Sequence, residues 1–271
     1  MLRRYPLVAF FVLAFLFSWL VAVPLALQRG GVLPARLPYS LHYLMAFGPM
    51  LAALIVVGAT EGRPALGRFL TRGFRLSVGW GWLTFALLAP LAFFGVGVVA
   101  AAMSDRAVPG VRELGQINFL PNLGLGAWLL WILTSGLGEE TGWRGYALPR
   151  LQSRRSPLAA SLILAVPWVL WHLPAFFYLP NYMSFGVMLP GFALGVAAGS
   201  IVYTWLYNKT GGSILAAVLF HGSFNFVTAS QAGTGLVAAV ASTLVMVWAV
   251  VILIRWKSVR RSIGATPRVQ A

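Results

Sequence analysis

The residues of this chain that could do chemistry are few, and the first group is a pair of carboxylates. Glu139 and Glu140 are followed by Arg144 inside an otherwise apolar stretch. The whole chain has only five acidic residues, so an adjacent pair at such a place is unusual. A charged side chain at the bilayer centre costs roughly 3 kcal/mol on insertion scales, and it normally faces a protein interior or a water-filled cavity. The pair therefore predicts a reactive or ion-handling site inside the membrane.

Helical spacing separates the two glutamates. Glu140 and Arg144 are four residues apart, so they share a helix face and can neutralise each other. Glu139 points about 100° away from Glu140. Removal from water strengthens a carboxylate as a base, which suits general-base catalysis near neutral pH. We therefore expect Glu139 to be free for chemistry and Glu140 with Arg144 to support it.

Histidines and an asparagine form the second group. His172 lies in one apolar segment, and His221 lies in another, four residues before Asn225. Side chains four apart project together, so His221 and Asn225 can donate two hydrogen bonds to one oxyanion, usually the largest contribution in acyl transfer. The chain has no cysteine, and no serine or threonine is placed beside a base in a manner that demands a covalent mechanism. Hydrolysis of an amide by an activated water fits these residues. The third histidine, His42, is predicted at an external helix end and is assigned no role.

Membrane-spanning helices must position these residues. Hydrophobic residues make up 59% of the 271 residues and charged residues 9%, and the mean hydropathy is +0.83. These values predict an all-α, polytopic transmembrane helical bundle, with residues 1–271 as a single integral membrane domain. About eight spans are expected, and their predicted bounds are Tyr5–Leu27, Leu41–Ala59, Val78–Met103, Leu123–Leu148, Leu158–Tyr178, Phe185–Tyr207, Gly212–Ser230 and Leu236–Ile254.

The basic residues that give the chain its net charge of +15 lie mostly between these spans and at the termini. Fifteen of the 20 basic residues precede the first span, follow the last, or lie between spans two and three, four and five, or six and seven. The other loops hold Arg29, Arg36, Arg106 and Arg112. By the positive-inside rule both termini are cytoplasmic. The expected partners are therefore the lipid bilayer and a membrane-associated peptide or protein substrate, and no nucleic acid.

Depth along the helices allows one shared site. Counting ~1.5 Å per residue from the cytoplasmic helix ends, Glu139, His221 and His172 lie roughly 16, 14 and 22 Å deep. One site below the cytoplasmic surface is feasible. Arginine accounts for 18 of the 20 basic residues, which is typical of a GC-rich bacterial genome and favours a bacterial plasma membrane. The arginine-rich segment Thr60–Leu76 and the tail from Lys257 are expected to be linkers.

Three motifs in successive order carry a family resemblance. They are Glu139-Glu140-x-x-x-Arg144, Trp168-x-x-x-His172 with Pro174 two residues on, and His221-x-x-x-Asn225. Together they resemble the CPBP family of intramembrane proteases, which includes the CAAX prenyl protease 2 type and many bacterial Abi proteins. The resemblance covers roughly residues 123–230, the expected catalytic core. One departure is that the second motif usually opens with phenylalanine and here opens with tryptophan.

The resemblance implies an intramembrane, glutamate-dependent endopeptidase. It implies Glu139 as the general base that activates water with the help of His172, and His221 with Asn225 as the oxyanion hole. The expected substrate is a membrane-associated peptide, either CAAX-like or leader-type, and no cofactor is expected.

Two alternatives stay open. Glu139, His172 and His221 could ligate zinc with an open fourth position. The chain lacks the His-Glu-x-x-His motif, and Asn225 suits an oxyanion donor, so the metal-free form is favoured. The other alternative is a non-catalytic membrane protein, either a proton-coupled carrier or an immunity or scaffolding factor, because paired carboxylates and an arginine also suit proton transport. A carrier predicts a flux that responds to Glu139 and yields no peptide products.

Overall fold

The computed structural model describes residues 2–75, 78–184, 186 and 189–255, so the predicted tail from Lys257 lies outside the described residues. All regular elements in this part of the chain are helical, which confirms the predicted all-α polytopic bundle. The α-helices are α1 (Pro6–Arg29), α2 (Gly48–Glu61), α3 (Arg63–Gly73), α4 (Trp80–Met103), α5 (Gly126–Trp131), α6 (Leu148–Gln152), α7 (Pro157–Trp171), α8 (Pro180–Met183), α9 (Leu189–Lys209), α10 (Ile214–Thr228) and α11 (Leu236–Ile254). The 3₁₀ segments are Tyr39–Phe47, Val111–Glu113, Leu173–Phe177 and Gln231–Gly233, and the π-helical segments are Ile132–Glu139 and Thr141–Ala147.

Six helices among the described residues are long and apolar enough to cross a membrane. They are α1, α4, α9 and α11, α2 with its preceding 3₁₀ turn (Tyr39–Glu61), and α7 with its following 3₁₀ turn (Pro157–Phe177). The other two predicted spans are not regular helices of that length. α10 has 15 residues, and the fourth predicted span is divided into α5, two π-helical segments and α6. Hydropathy counts apolar residues and does not detect such changes of helix type.

The arginine-rich segment predicted to be a linker contains a helix. α3 is amphipathic: Ala65 is buried and Phe69 is half-buried, whereas Arg63 and Arg68 are exposed. An amphipathic helix of this kind is suited to lie along an interface rather than to cross the bilayer. The linker prediction for this segment was wrong because it weighed the charges and not their helical period.

The bundle has two opposite ends that differ in composition. We call the end formed by residues 2–5, 62–75, 153–156 and 210–213 the arginine face. It is tied together by Arg75, which donates a 3.2 Å hydrogen bond to the carbonyl of Gly211, and by the Arg150–Glu61 ion pair.

We call the other end, formed by residues 30–38, 104–125, 178–184 and 229–235, the amide face. The Tyr43 hydroxyl donates a 2.7 Å hydrogen bond to the Asn118 carbonyl. The Gln231 amide N–H donates to the carbonyl of Gln116 at 2.8 Å. These contacts hold the connecting loops of this end together.

Glycines allow the helix that carries Glu139 to pack closely against its neighbours. A Cβ atom on Gly136 would lie 2.6 Å from the Val218 carbonyl oxygen of α10, and one on Gly142 would lie 2.5 Å from the Pro49 carbonyl oxygen of α2. Small residues at such crossings let helix backbones approach, which is the usual way that helices associate in membranes. The helical segment that carries Glu139 is therefore packed closely between α2 and α10.

Candidate active site

The two glutamates stand where the helix changes its winding. Ile132–Glu139 and Thr141–Ala147 are π-helical, and Glu140 lies between them. π-helical insertions are rare and frequently mark functional sites. Every residue from Gly138 to Leu148 is buried. The sequence carries no periodicity signal for this change, so it was not predicted.

One cavity brings the four predicted catalytic residues together. Glu139, His172, His221 and Asn225 all line a cavity of about 120 Å³. That volume accommodates several water molecules. His221 and Asn225 reach it from the same face of α10, as their spacing predicts. Residues from three separate predicted spans therefore surround one cavity that has room for water.

Glu139 is not free of partners, because Trp168 holds one of its oxygens. The indole Nε1–H of Trp168 donates a 2.9 Å hydrogen bond to Glu139 Oε2. Glu139 is 3% exposed, so this bond to the carboxylate is made away from bulk water, where charge-assisted bonds are strong. Phenylalanine, the usual residue at this place in the resembling family, has no such donor. The tryptophan at this position therefore gives the expected base a hydrogen-bond donor. The polar N–H of tryptophan is the feature of the sequence that could have indicated this contact.

Glu140 and Arg144 form the ion pair that their spacing predicts. Arg144 Nη1 lies 2.8 Å from Glu140 Oε1, and both side chains are fully buried. The Arg144 guanidinium carbon also lies 4.1 Å from the ring centroid of Trp168 and 4.3 Å from that of Tyr203. Cation–π contacts strengthen when the groups are removed from water. They compensate in part for the Nε and Nη2 atoms of Arg144, which have no hydrogen-bond partner among the described residues.

Glu140 has a second partner, which the sequence did not reveal. His221 Nδ1 lies 2.7 Å from the same oxygen, Glu140 Oε1. A carboxylate oxygen only accepts, so Nδ1–H of His221 is the donor. Glu140 thereby fixes the orientation of the imidazole, in the way that carboxylates orient histidines in other sites. It is a positioning residue for His221 as well as a counter-ion for Arg144.

His172 follows the last residue of α7 and is held by the preceding turn. Its Nδ1 lies 2.7 Å from the Trp168 carbonyl oxygen. Because a carbonyl only accepts, the proton is on Nδ1 and the neutral ring keeps a lone pair on Nε2. The ring stacks on Tyr182 with centroids 5.8 Å apart. His172 is therefore oriented as a proton acceptor at the cavity.

His42 also lines this cavity, although the sequence assigns it no role. Its Nδ1 lies 2.6 Å from the hydroxyl oxygen of Tyr178. The residue comes from the 3₁₀ turn before α2, at the amide-face end of the bundle. The cavity thus extends towards that end, whereas the depth count placed the site below the surface at the arginine face.

The zinc alternative finds no matching geometry in the described part of the chain. No group of three or more His, Cys, Asp or Glu residues there is placed to hold a metal ion. The Nδ1 atoms of His172 and His221 both make the hydrogen bonds given above, as the second ring nitrogen of a metal-bound histidine also does. The metal-free form therefore stays a proposal, which a chelator tests.

A polytopic helical fold with a buried carboxylate, two histidines and an asparagine around one cavity has the features of an intramembrane hydrolase. Residues 121–227 match the family profile described as type II CAAX prenyl endopeptidase Rce1-like. The chain is also similar to CAAX prenyl protease 2 of Methanococcus maripaludis, with 26% identity over 189 residues, 65% of this chain and 67% of that protein. These similarities support the CPBP/CAAX protease family for this chain and confirm the resemblance that its motifs predicted. Over residues 121–227 the chain is accordingly similar to an endopeptidase family, and its long apolar helices are those of a multi-pass integral membrane protein.

Proposed function

We propose that this protein is a glutamate-dependent intramembrane endopeptidase that cleaves a membrane-associated peptide, with Glu139 as general base. The observation that carries this proposal is the shared cavity, in which Glu139, His172, His221 and Asn225 surround space for water. The proposed location is a bacterial plasma membrane, and the substrate is a CAAX-like or leader-type peptide.

The first step is attack by water. Glu139 accepts one proton of a water molecule while the water oxygen bonds to the carbonyl carbon of the scissile amide. His172 assists by accepting the second O–H of that water at Nε2. The hydrogen bond from Trp168 leaves Oε1 of Glu139 for the water and fixes the plane of the carboxylate. General-base assistance of this kind contributes about 10²–10⁴-fold to a rate.

The second requirement is stabilisation of the tetrahedral oxyanion. The Asn225 amide donates one hydrogen bond and His221 Nε2–H the other. Since Nδ1–H of His221 is used for Glu140, donation from Nε2 requires the doubly protonated ring. With that form, the charges of Glu139, Glu140, Arg144 and His221 sum to zero. Glu140 thus supports the cationic imidazole that the oxyanion needs.

Collapse of the intermediate completes the reaction. The C–N bond breaks, the leaving nitrogen takes the proton held by Glu139, and the products are a carboxylic acid and an amine. Glu139 returns to its ionised form. It therefore acts first as general base and then as general acid. No covalent enzyme intermediate is involved.

The experiment compares purified wild type with Glu139→Ala in detergent, using a quenched-fluorescent library of prenylated CAAX peptides and hydrophobic leader peptides. Cleavage by wild type alone, unchanged by a zinc chelator, is the expected result. Equal cleavage by both proteins contradicts the role of Glu139, and loss of cleavage with the chelator contradicts the metal-free mechanism. Proton or solute flux that depends on Glu139, without peptide products, would favour the carrier.

A further inference from the structure

A second cavity adjoins the candidate active site on the side of the amide face. It has a volume of about 290 Å³ and shares Asn118, Asn181 and Ala229 with the first cavity. Its outer lining includes Gln116 and Thr234, which are exposed. The two cavities lie end to end between the surface of the amide face and Glu139, and we call them together the passage.

The second cavity, which forms the outer part of the passage, is polar but uncharged. Five of the residues that line the second cavity are amides: Gln116, Asn118, Asn122, Asn181 and Gln231. The described residues that line it include no charged side chain. Amide groups pair with the N–H and C=O groups of a peptide main chain. A lining of this type suits an extended, uncharged peptide segment.

Two buried donors further in are available to a ligand of this kind. The Nε1–H groups of Trp131 and Trp171, both in the wall of the first cavity, have no hydrogen-bond partner among the described residues. The two side chains are 8% and 3% exposed. An indole N–H at a buried place usually has a partner, and a peptide carbonyl supplies one.

Towards the arginine face, the helix that carries Glu139 is closely packed. Trp143, Arg144, Tyr146 and Leu148 follow Glu139 along its helix towards that face, and each is 0% exposed. In the predicted topology 15 of the 20 basic residues lie on that side, which the positive-inside rule assigns to the cytoplasm. The open end of the passage is therefore the end away from the cytoplasm.

We infer that the peptide substrate reaches Glu139 from the non-cytoplasmic side, through this amide-lined passage. The inference rests on the proposed endopeptidase function and deepens it, because it selects the substrate class. A peptide segment delivered to the outer surface of the membrane, such as a leader-type peptide, can enter. A CAAX terminus presented in the cytoplasm faces the closely packed end.

The absence of native cysteine makes the test direct, since each introduced thiol is the only one. Gln116→Cys and Thr234→Cys place a thiol at the mouth of the passage. Val32→Cys is the control on the same face, outside the passage, and Ser153→Cys is the control on the arginine face; both native residues are exposed. Spheroplasts of a bacterial host that express each variant are treated with a membrane-impermeant maleimide. The purified variants are then labelled with a bulky polyethylene glycol maleimide and assayed on a peptide that wild type cleaves.

The expected result is labelling of Gln116→Cys, Thr234→Cys and Val32→Cys in intact spheroplasts, with Ser153→Cys protected. Relative to the same variant before labelling, bulky labelling should abolish cleavage only in the two passage variants. Labelling of Ser153→Cys instead of the other three would overturn the sidedness. Cleavage that survives the bulky label at both passage positions would overturn the passage while leaving the endopeptidase function in place. Absence of cleavage in every unlabelled protein, wild type included, would overturn both.

Discussion

Glu139 and Glu140 are neighbours in sequence, yet they belong to two different regions of the molecule. Glu139 lines a cavity with space for water and has one protein donor, Trp168. Glu140 lies in an enclosed charge cluster, where Arg144 and His221 both contact the same carboxylate oxygen. The difference shows that the role of a buried carboxylate depends on the partners of its two oxygens and on its access to water. Access to water suits Glu139 to proton transfer, whereas permanent partners suit Glu140 to holding other groups.

The largest expected effect comes from breaking the enclosed cluster. Arg144→Met leaves Glu140 buried without its cation, and loss of one partner of a buried pair costs about 3–5 kcal/mol of folding free energy. The variant should unfold at a much lower temperature in detergent than wild type. The double variant Glu140→Gln with Arg144→Met should recover part of that loss, because no uncompensated charge remains. Equal stability of Arg144→Met and wild type would remove the structural role of the cluster.

On the cavity side, removal of the second oxyanion donor should affect rate rather than stability. Asn225→Ala is expected to lower kcat by about 10²–10³-fold with little change in KM, because the donor acts on charge that develops in the transition state. Steady-state kinetics on the best library peptide provide the measurement. A rise in KM at constant kcat would instead make Asn225 a residue that binds the substrate in its ground state.

A smaller effect is expected where the two regions meet, at Trp168. Trp168→Phe keeps the aromatic ring over Arg144 but removes the N–H that donates to Glu139. Without that N–H the plane of the Glu139 carboxylate is no longer fixed towards the water, so cleavage should fall about tenfold or more. Trp143→Phe is the matched control, since Trp143 has no described hydrogen bond to Glu139. Its rate per folded molecule should equal that of wild type, and an equal loss in both variants would refute a specific role for the Trp168 N–H.

The smallest effect is expected at a carboxylate that belongs to neither region. Glu61 pairs with Arg150 on the arginine face, and its side chain is 45% exposed. Exposed ion pairs contribute about 0–1 kcal/mol, so Glu61→Gln should match wild type in thermal stability and in cleavage. A clear loss of cleavage would show that removal of any glutamate disturbs the site, and the contrast between Glu139 and Glu140 would then lose its meaning.

Much of this arrangement could be predicted from the sequence, because few polar residues occur in an apolar chain. Helical spacing predicts the Glu140–Arg144 pair and the common face of His221 and Asn225, and hydropathy predicts the bundle. Contacts between distant segments could not be predicted in this way. The Glu140–His221 bond joins residues 81 positions apart, and the place of His42 in the cavity depends on how α2 packs. The π-helical winding at Glu139 also has no signature in the pattern of apolar residues.

The most direct test of the central claim compares Glu139→Gln with Glu140→Gln in two measurements, thermal unfolding and peptide cleavage in detergent. Glutamine at position 139 can still accept the hydrogen bond from Trp168, so Glu139→Gln should unfold at the wild-type temperature and show no cleavage. Glu140→Gln should unfold at a lower temperature, because Arg144 loses its counter-ion. Wild-type cleavage by stable Glu139→Gln protein would contradict the assignment of Glu139 as the general base.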